Sequence, residues 1–161
     1  MSTDIGNVGL QPCGFSEEQI NEFVSKIVEV INPGGGSVDP FDVVKKIGGR
    51  VTSLPPSEWV ENKYISKVED DGSFTIFLPN YVSPLKNRFI VAHELGHFFL
   101  HSGMGENHIA FPITPSDMTC EAEAECFARS LLATQRIPTP KPATHLANAA
   151  IKTRRLATQM A

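Results

Sequence analysis

The segment His93-Glu94-Leu95-Gly96-His97 is an HExxH motif, whose residue types and spacing suit metal-dependent hydrolysis. On a helix, His93 and His97 lie one turn apart and project from the same face. Two neutral imidazoles so placed can hold one zinc ion, and Glu94 beside them can handle a proton. The flanking residues are almost wholly apolar, which predicts a buried helix. The alternative is a pair of core histidines that bond to backbone carbonyls.

An HExxH motif supplies only two ligands, so a third must come from elsewhere. The metzincin solution is a histidine six residues after the second one with a glycine midway, and Gly103 and Leu100 occupy those positions here. The other common solution is a glutamate on a later helix. Residues 119–132 have helical apolar spacing, and Glu121 lies on the flank that packs inward. We therefore predict that the metal ligands are His93, His97 and Glu121.

Other polar residues of these two helices have predicted supporting roles. Glu125, one turn after Glu121, is predicted to accept a hydrogen bond from a ligand histidine. Glu123 is expected to face solvent. Alternatively, all three glutamates simply favour the helix N-terminus, where Thr119 is the predicted N-cap. His101 continues the histidine face, but a fourth ligand would close the site, so we predict that it supports a ligand or the helix end.

The two helical segments together resemble the ImmA/IrrE family of metallopeptidases. The run RFIVAHELGHFFLH, residues 88–101, is similar to the family's metal helix, and residues 72–80 resemble the strand that enters it. The later pattern Glu121-x-x-Ala124-x-x-Phe127-Ala128-x-x-Leu131-Leu132 is similar to the family's second motif, E-x-x-A-N-x-F-A-x-x-L-L-M-P. The resemblance covers about residues 45–135. Glu125 stands where the family usually has asparagine, and Ala133-Thr134 replaces Met-Pro.

The resemblance implies a zinc-dependent endopeptidase, and the place of Glu94 beside the predicted ligands makes it the predicted catalytic base. It also implies a protein substrate, because characterised family members cleave helix-turn-helix repressors of phages, mobile elements or stress-response genes. Two alternatives stay open: a zinc-binding, non-proteolytic partner of a DNA-binding repressor, and a metal hydrolase that acts on another bond. Four residues are open candidates for stabilising the oxyanion: Tyr81, His108, His145 and Arg154.

Composition limits the other function classes. The chain of 161 residues suits a single metallopeptidase domain, and its net charge of −4 predicts no direct nucleic-acid binding. Neither a secretory leader nor an apolar run of membrane-spanning length is present, so we expect a cytoplasmic protein. The sequence has an odd number of cysteines and no CxxC spacing, which predicts reduced thiols at Cys13, Cys120 and Cys126. Cys120 beside Glu121 is also a candidate zinc neighbour.

Apolar periodicity and turn residues predict an α+β domain, with helices around a small, mainly antiparallel three-stranded sheet and a zincin-like metal helix. Ser16 and Gln19 predict a capping box, and Asp71-Gly72 predicts a hairpin turn. The predicted helices span about residues 15–31, 39–47, 83–101, 119–132 and 144–159, and the predicted strands span 51–54, 64–68 and 73–78.

Two segments are predicted to border the cleft. The strand at residues 73–78 is expected to offer an edge to an extended substrate. The loop at residues 102–118, between the ligand helices, is expected to be a mobile rim.

Overall fold

The computed structural model describes residues 10–106, 109–113 and 117–133. The helix predicted near residues 144–159 therefore lies outside the described residues. So do three of the oxyanion candidates, His108, His145 and Arg154, and parts of the predicted rim loop.

Helices and a small sheet share the described chain, which confirms the predicted α+β class. Two short elements were not expected from the sequence, a helix directly after the first strand and a strand inside the predicted rim loop. In chain order the elements are α1 (Glu17–Ile31), α2 (Pro40–Lys46), β1 (Arg50–Leu54), α3 (Pro56–Glu61), β2 (Tyr64–Val68), β3 (Phe74–Pro79), α4 (Pro84–His101), β4 (Ala110–Pro112) and α5 (Met118–Ala133).

The sheet has four strands in the order β1-β3-β2-β4. Strand β1 runs parallel to β3, whereas β2 is antiparallel to both β3 and β4. The predicted count of three strands is therefore wrong, because the described sheet has four, but two of its three pairings are antiparallel as predicted. Strand β4 is three residues long and ends at a proline, so it carries no alternating signal. Because β3 pairs on both sides, the prediction that residues 73–78 form a free edge is also wrong; the edges are β1 and β4.

Side-chain caps define where the main helices begin. Ser16 and Gln19 form the predicted capping box of α1, and Ser83 accepts a hydrogen bond from the Lys86 backbone N–H at the start of α4. At the start of α5, the Asp117 carboxylate accepts hydrogen bonds from the backbone N–H groups of Thr119 and Cys120. The N-cap prediction for Thr119 was therefore wrong: the helix begins at Met118, and the Asp117 side chain accepts from the orphan N–H groups of its first turn.

Helix α4 lies at the centre of the core. It packs against α5, α2 and the sheet, and α1 packs against α5. Phe98 of α4 meets Phe74 of β3 with ring centroids 4.9 Å apart. Ten residues of α4 are buried, as the nearly continuous apolar run predicted. No described helix is both long and apolar enough to cross a bilayer.

Candidate metal centre

The histidines of α4 face a glutamate of α5. His93 and His97 lie one turn apart with ring centroids separated by 5.0 Å. One carboxylate oxygen of Glu121 is 2.8 Å from His93 Nε2, and the other is 3.1 Å from His97 Nε2. The structure therefore brings together all three residues that were predicted to be metal ligands.

This convergence depends on a close approach of α4 and α5. A Cβ atom on Gly96 would lie 2.9 Å from both Cα and the carbonyl oxygen of Ala124, and 3.1 Å from Cβ of Phe127. Carbon atoms do not approach one another so closely, so residue 96 has to be glycine while the helices keep this spacing. The spacing in turn keeps Glu121 within reach of both imidazoles.

The three groups form a charged, partly buried cluster. Burial of Glu121 opposes ionisation, but hydrogen bonds from His93 and His97 outweigh it and hold the pKa of this carboxyl well below its ordinary range. Burial of His93 likewise opposes protonation, yet the contact with Glu121 raises its pKa. Two imidazole nitrogens and one carboxylate are a donor set that suits zinc and leaves one coordination position for water.

Glu94 lies beside this donor set and is almost completely buried, with 2% of its surface exposed. Ligand atoms of His93, Glu94 and His97 all lie within 4.8 Å of one another. Burial raises the pKa of Glu94, while the Ser66 hydroxyl of β2 donates a hydrogen bond to its Oε2. Ser66 was not among the residues predicted from the sequence. The available signal was a polar residue two positions before Val68, on the same buried face of the strand.

The other side of His97 is held by an aromatic ring and by a second histidine. Phe111 of β4 stacks on the imidazole, with centroids 4.8 Å apart and planes inclined by 19°. His97 Nδ1 lies 3.0 Å from His101 Nδ1, and His101 Nε2 lies 2.9 Å from Glu123 Oε1. Burial lowers the pKa of His101, which favours a neutral ring. His101 thus contacts a predicted ligand, in line with a supporting role.

The prediction that Glu123 faces solvent was wrong. Glu123 is 8% exposed, because the segment before α1 covers that flank of α5. The backbone N–H groups of Cys13 and Gly14 donate to its carboxylate at 3.0 and 2.9 Å. Helical periodicity predicts which face of a helix a residue lies on, but it does not predict which distant segment packs against that face.

Glu125, Cys120 and Tyr81 have surroundings different from those of the metal cluster. Glu125 forms an ion pair with Arg129, with 2.6 Å between Oε1 and Nη2, rather than the predicted hydrogen bond to a ligand histidine. Burial raises the pKa of the Cys120 thiol to about 12, with Asp117 and Glu123 adding to the effect. Tyr81, the oxyanion candidate within the described residues, is 60% exposed.

A comparison with protein-family models assigns the chain to a known family. The family model Peptidase_M78, described as the IrrE N-terminal-like domain, matches residues 45–154. No curated protein and no solved structure gives a significant match. The family match spans both α4 and α5, and thus His93, Glu94, His97 and Glu121. Because it covers more than half of the chain, this protein belongs to the Peptidase_M78 family, the ImmA/IrrE group of metallopeptidase type.

Proposed function

We propose that this protein is a zinc-dependent endopeptidase of the ImmA/IrrE type. His93, His97 and Glu121 would hold the zinc ion, and Glu94 would be the catalytic base. The observation that carries the proposal is the Glu121 carboxylate, which contacts Nε2 of both motif histidines beside a buried glutamate. A site of two histidines and one carboxylate keeps an open coordination position, which distinguishes catalytic from structural zinc sites.

Glu94 would carry the proton in the reaction. Bound zinc supplies Lewis acidity, which acidifies a water molecule and polarises a carbonyl group. The Glu94 carboxylate would accept the proton of the attacking water and deliver it to the leaving amine. Burial raises the pKa of Glu94, which makes it a stronger base than an exposed glutamate. Ser66 donates to Oε2, and no hydrogen bond to Oε1 is found among the described residues, so Oε1 is the atom available for this proton.

The short strand β4 is the proposed docking edge for substrate. It pairs with β2 on one side, and no strand covers its other side in the described part of the chain. Phe111 at its middle stacks on His97, so this edge lies next to the proposed zinc site. An extended peptide that added to β4 would run past the proposed catalytic groups.

The substrate class rests on the family resemblance. We propose a helix-turn-helix transcriptional repressor, bound as a protein without direct contact to nucleic acid, in keeping with the net charge of −4. No disulfide joins the three cysteines Cys13, Cys120 and Cys126 in the described residues. Reduced cysteines support a cytoplasmic setting for this reaction.

Cleavage assays with a repressor encoded beside this gene would test the proposal. Wild-type protein should bind one zinc ion and cut the repressor. Glu94→Gln should keep the zinc ion and lose activity by about 10²–10⁴-fold, whereas His97→Ala should lose both zinc and activity. Glu22→Gln is the matched control, because Glu22 is an exposed glutamate that pairs with Lys26 on α1.

Two outcomes would contradict the assignment. If wild-type protein binds zinc but cuts neither the repressor nor any unfolded protein, the non-proteolytic partner becomes the better interpretation. If Glu94→Gln loses zinc as completely as His97→Ala, Glu94 is a ligand rather than the base.

A further inference from the structure

A second polar cluster lies directly behind the proposed zinc site. His101 of α4 bridges His97 and Glu123, with 3.0 Å from Nδ1 to Nδ1 and 2.9 Å from Nε2 to Glu123 Oε1. The side chain of His101 has no exposed surface, and that of Glu123 is 9% exposed. The contacts therefore form one continuous buried chain from a proposed ligand to a carboxylate that is not a ligand.

The direction of each hydrogen bond in this chain follows from the Glu123 carboxylate, at which the chain ends. An ionised carboxylate only accepts, so His101 must carry its proton on Nε2. A neutral His101 then has a bare Nδ1, which also only accepts. His97 must therefore donate from Nδ1. In the zinc-free protein His97 also donates from Nε2 to Glu121, and zinc would take the place of that Nε2 proton.

Glu123 is itself held rigidly by the chain segment before α1. The backbone N–H of Cys13 donates to Oε1 at 3.0 Å and that of Gly14 donates to Oε2 at 2.9 Å. The Cys13 thiol adds a contact of 3.1 Å to Oε2. Backbone donors cannot rotate away as side chains do. The position of this carboxylate, and through it the orientation of His101, is thus set by a segment about 110 residues distant in sequence.

We propose that Glu123 is a positioning residue of the metal site, acting through His101 to hold His97 with Nδ1 protonated and Nε2 directed at zinc. The inference rests on the proposed zinc site. Outer partners of this kind typically change metal affinity by 10- to 100-fold. Cys13, His101 and Glu123 also have the spacing of a metal site of their own. The positioning role is favoured because both nitrogens of His101 and both oxygens of Glu123 already have protein partners.

Zinc affinity gives the first test. The dissociation constant and the zinc stoichiometry would be measured by competition with a chromophoric chelator. Glu123→Ala should weaken zinc binding by about 10- to 100-fold while circular dichroism stays unchanged. Glu123→Gln should lose less, because its amide oxygen can still accept from His101. Glu22→Gln, at an exposed glutamate of α1 that pairs with Lys26, is the control and should stay within about twofold of wild type.

The imidazole tautomers of the zinc-free protein give a second test that does not depend on zinc. Long-range ¹H–¹⁵N spectra should show His101 protonated at Nε2 and bare at Nδ1, with His97 protonated at Nδ1. Glu123→Ala should abolish this preference in His101. A purely structural role for Glu123 would lower the thermal stability without changing the tautomers. If Glu123→Ala does not fold, the wild-type spectra decide the question, because His101 protonated at Nδ1 and bare at Nε2 would overturn the positioning role.

The outcomes separate the two proposals. Failure of wild-type protein to bind zinc would overturn the proposed function, while the tautomers would still support or refute the hydrogen-bonded chain. Wild-type zinc affinity in folded Glu123→Ala would overturn the positioning role. So would a stoichiometry of two zinc ions that falls to one in Glu123→Ala, because Cys13, His101 and Glu123 would then be ligands themselves.

Discussion

Gly96 of α4 lies directly against Ala124 of α5, so close that a Cβ on Gly96 would be 2.9 Å from the Ala124 Cα. The contact lies between His93 and His97 on one helix and beside Glu121 on the other. Three proposed ligands thus meet because two backbones can touch at this point. The glycine within the HExxH motif therefore has a packing role that is separate from the chemistry of its neighbours.

Gly96→Ala should lower both stability and zinc affinity. The added methyl group would force the helices apart, and overpacking of this kind costs about 1–3 kcal/mol. Chemical denaturation and chelator competition would measure the two effects. Gly34→Ala is the control, because its Cβ would meet no atom closer than 3.9 Å. Wild-type stability in Gly96→Ala would show that α4 and α5 are not held at this spacing.

Glu94→Gln should stabilise the zinc-free protein at neutral pH. Burial raises the folded-state pKa of Glu94 above its unfolded value. A raised pKa means that the folded state favours the protonated carboxyl. This contribution to stability is fully present below the unfolded-state pKa and is lost as pH rises through the folded-state pKa. A glutamine does not titrate, so its advantage over glutamate should grow from acidic to neutral pH. Denaturant midpoints measured with a chelator present would reveal the trend, and a gap that narrows with rising pH would contradict it.

Ser66→Ala should impair catalysis without removing zinc. Ser66 is fully buried and donates to Glu94, a bond that favours the ionised carboxylate and lowers its pKa. Its loss should raise that pKa, so the acidic limb of the kcat/KM profile should move to higher pH. We expect kcat to fall by about 10-fold, the loss of roughly one charged hydrogen bond. Ser25→Ala, on the exposed side of α1, should match wild type. An unshifted acidic limb would show that Ser66 does not affect the pKa of the catalytic base.

The Cys13 thiol should resist alkylation in the folded protein. Burial raises its pKa to about 11, with the nearby Glu123 carboxylate adding to the effect. The reactive species is the thiolate, whose fraction at pH 7.5 should be roughly 100-fold below that of an ordinary cysteine. Iodoacetamide labelling followed by peptide mass spectrometry would give the rate. Glu123→Gln should speed the reaction, and equal rates in folded and unfolded protein would contradict the prediction.

The sequence was enough to predict which residues of the two helices come together at the candidate site. A spacing of four residues places His93 and His97 on one face of any α-helix, and the surrounding apolar run requires that helix to be buried. The same periodicity selected Glu121, whose carboxylate contacts both histidines. The boundaries of β2 and the capping box of α1 also followed from local patterns, because short-range hydrogen bonds and side-chain alternation govern them.

The tertiary structure decided which partners these residues have. Strand β4 is too short for periodicity, and its pairing with β2 makes β3 an internal strand. Glu123 meets Cys13 and Gly14 across about 110 residues of sequence, and Glu94 meets Ser66 across 28. A local pattern determines which way a side chain points relative to its own element. It cannot determine which element packs opposite, since that depends on the free energy of the whole packed core.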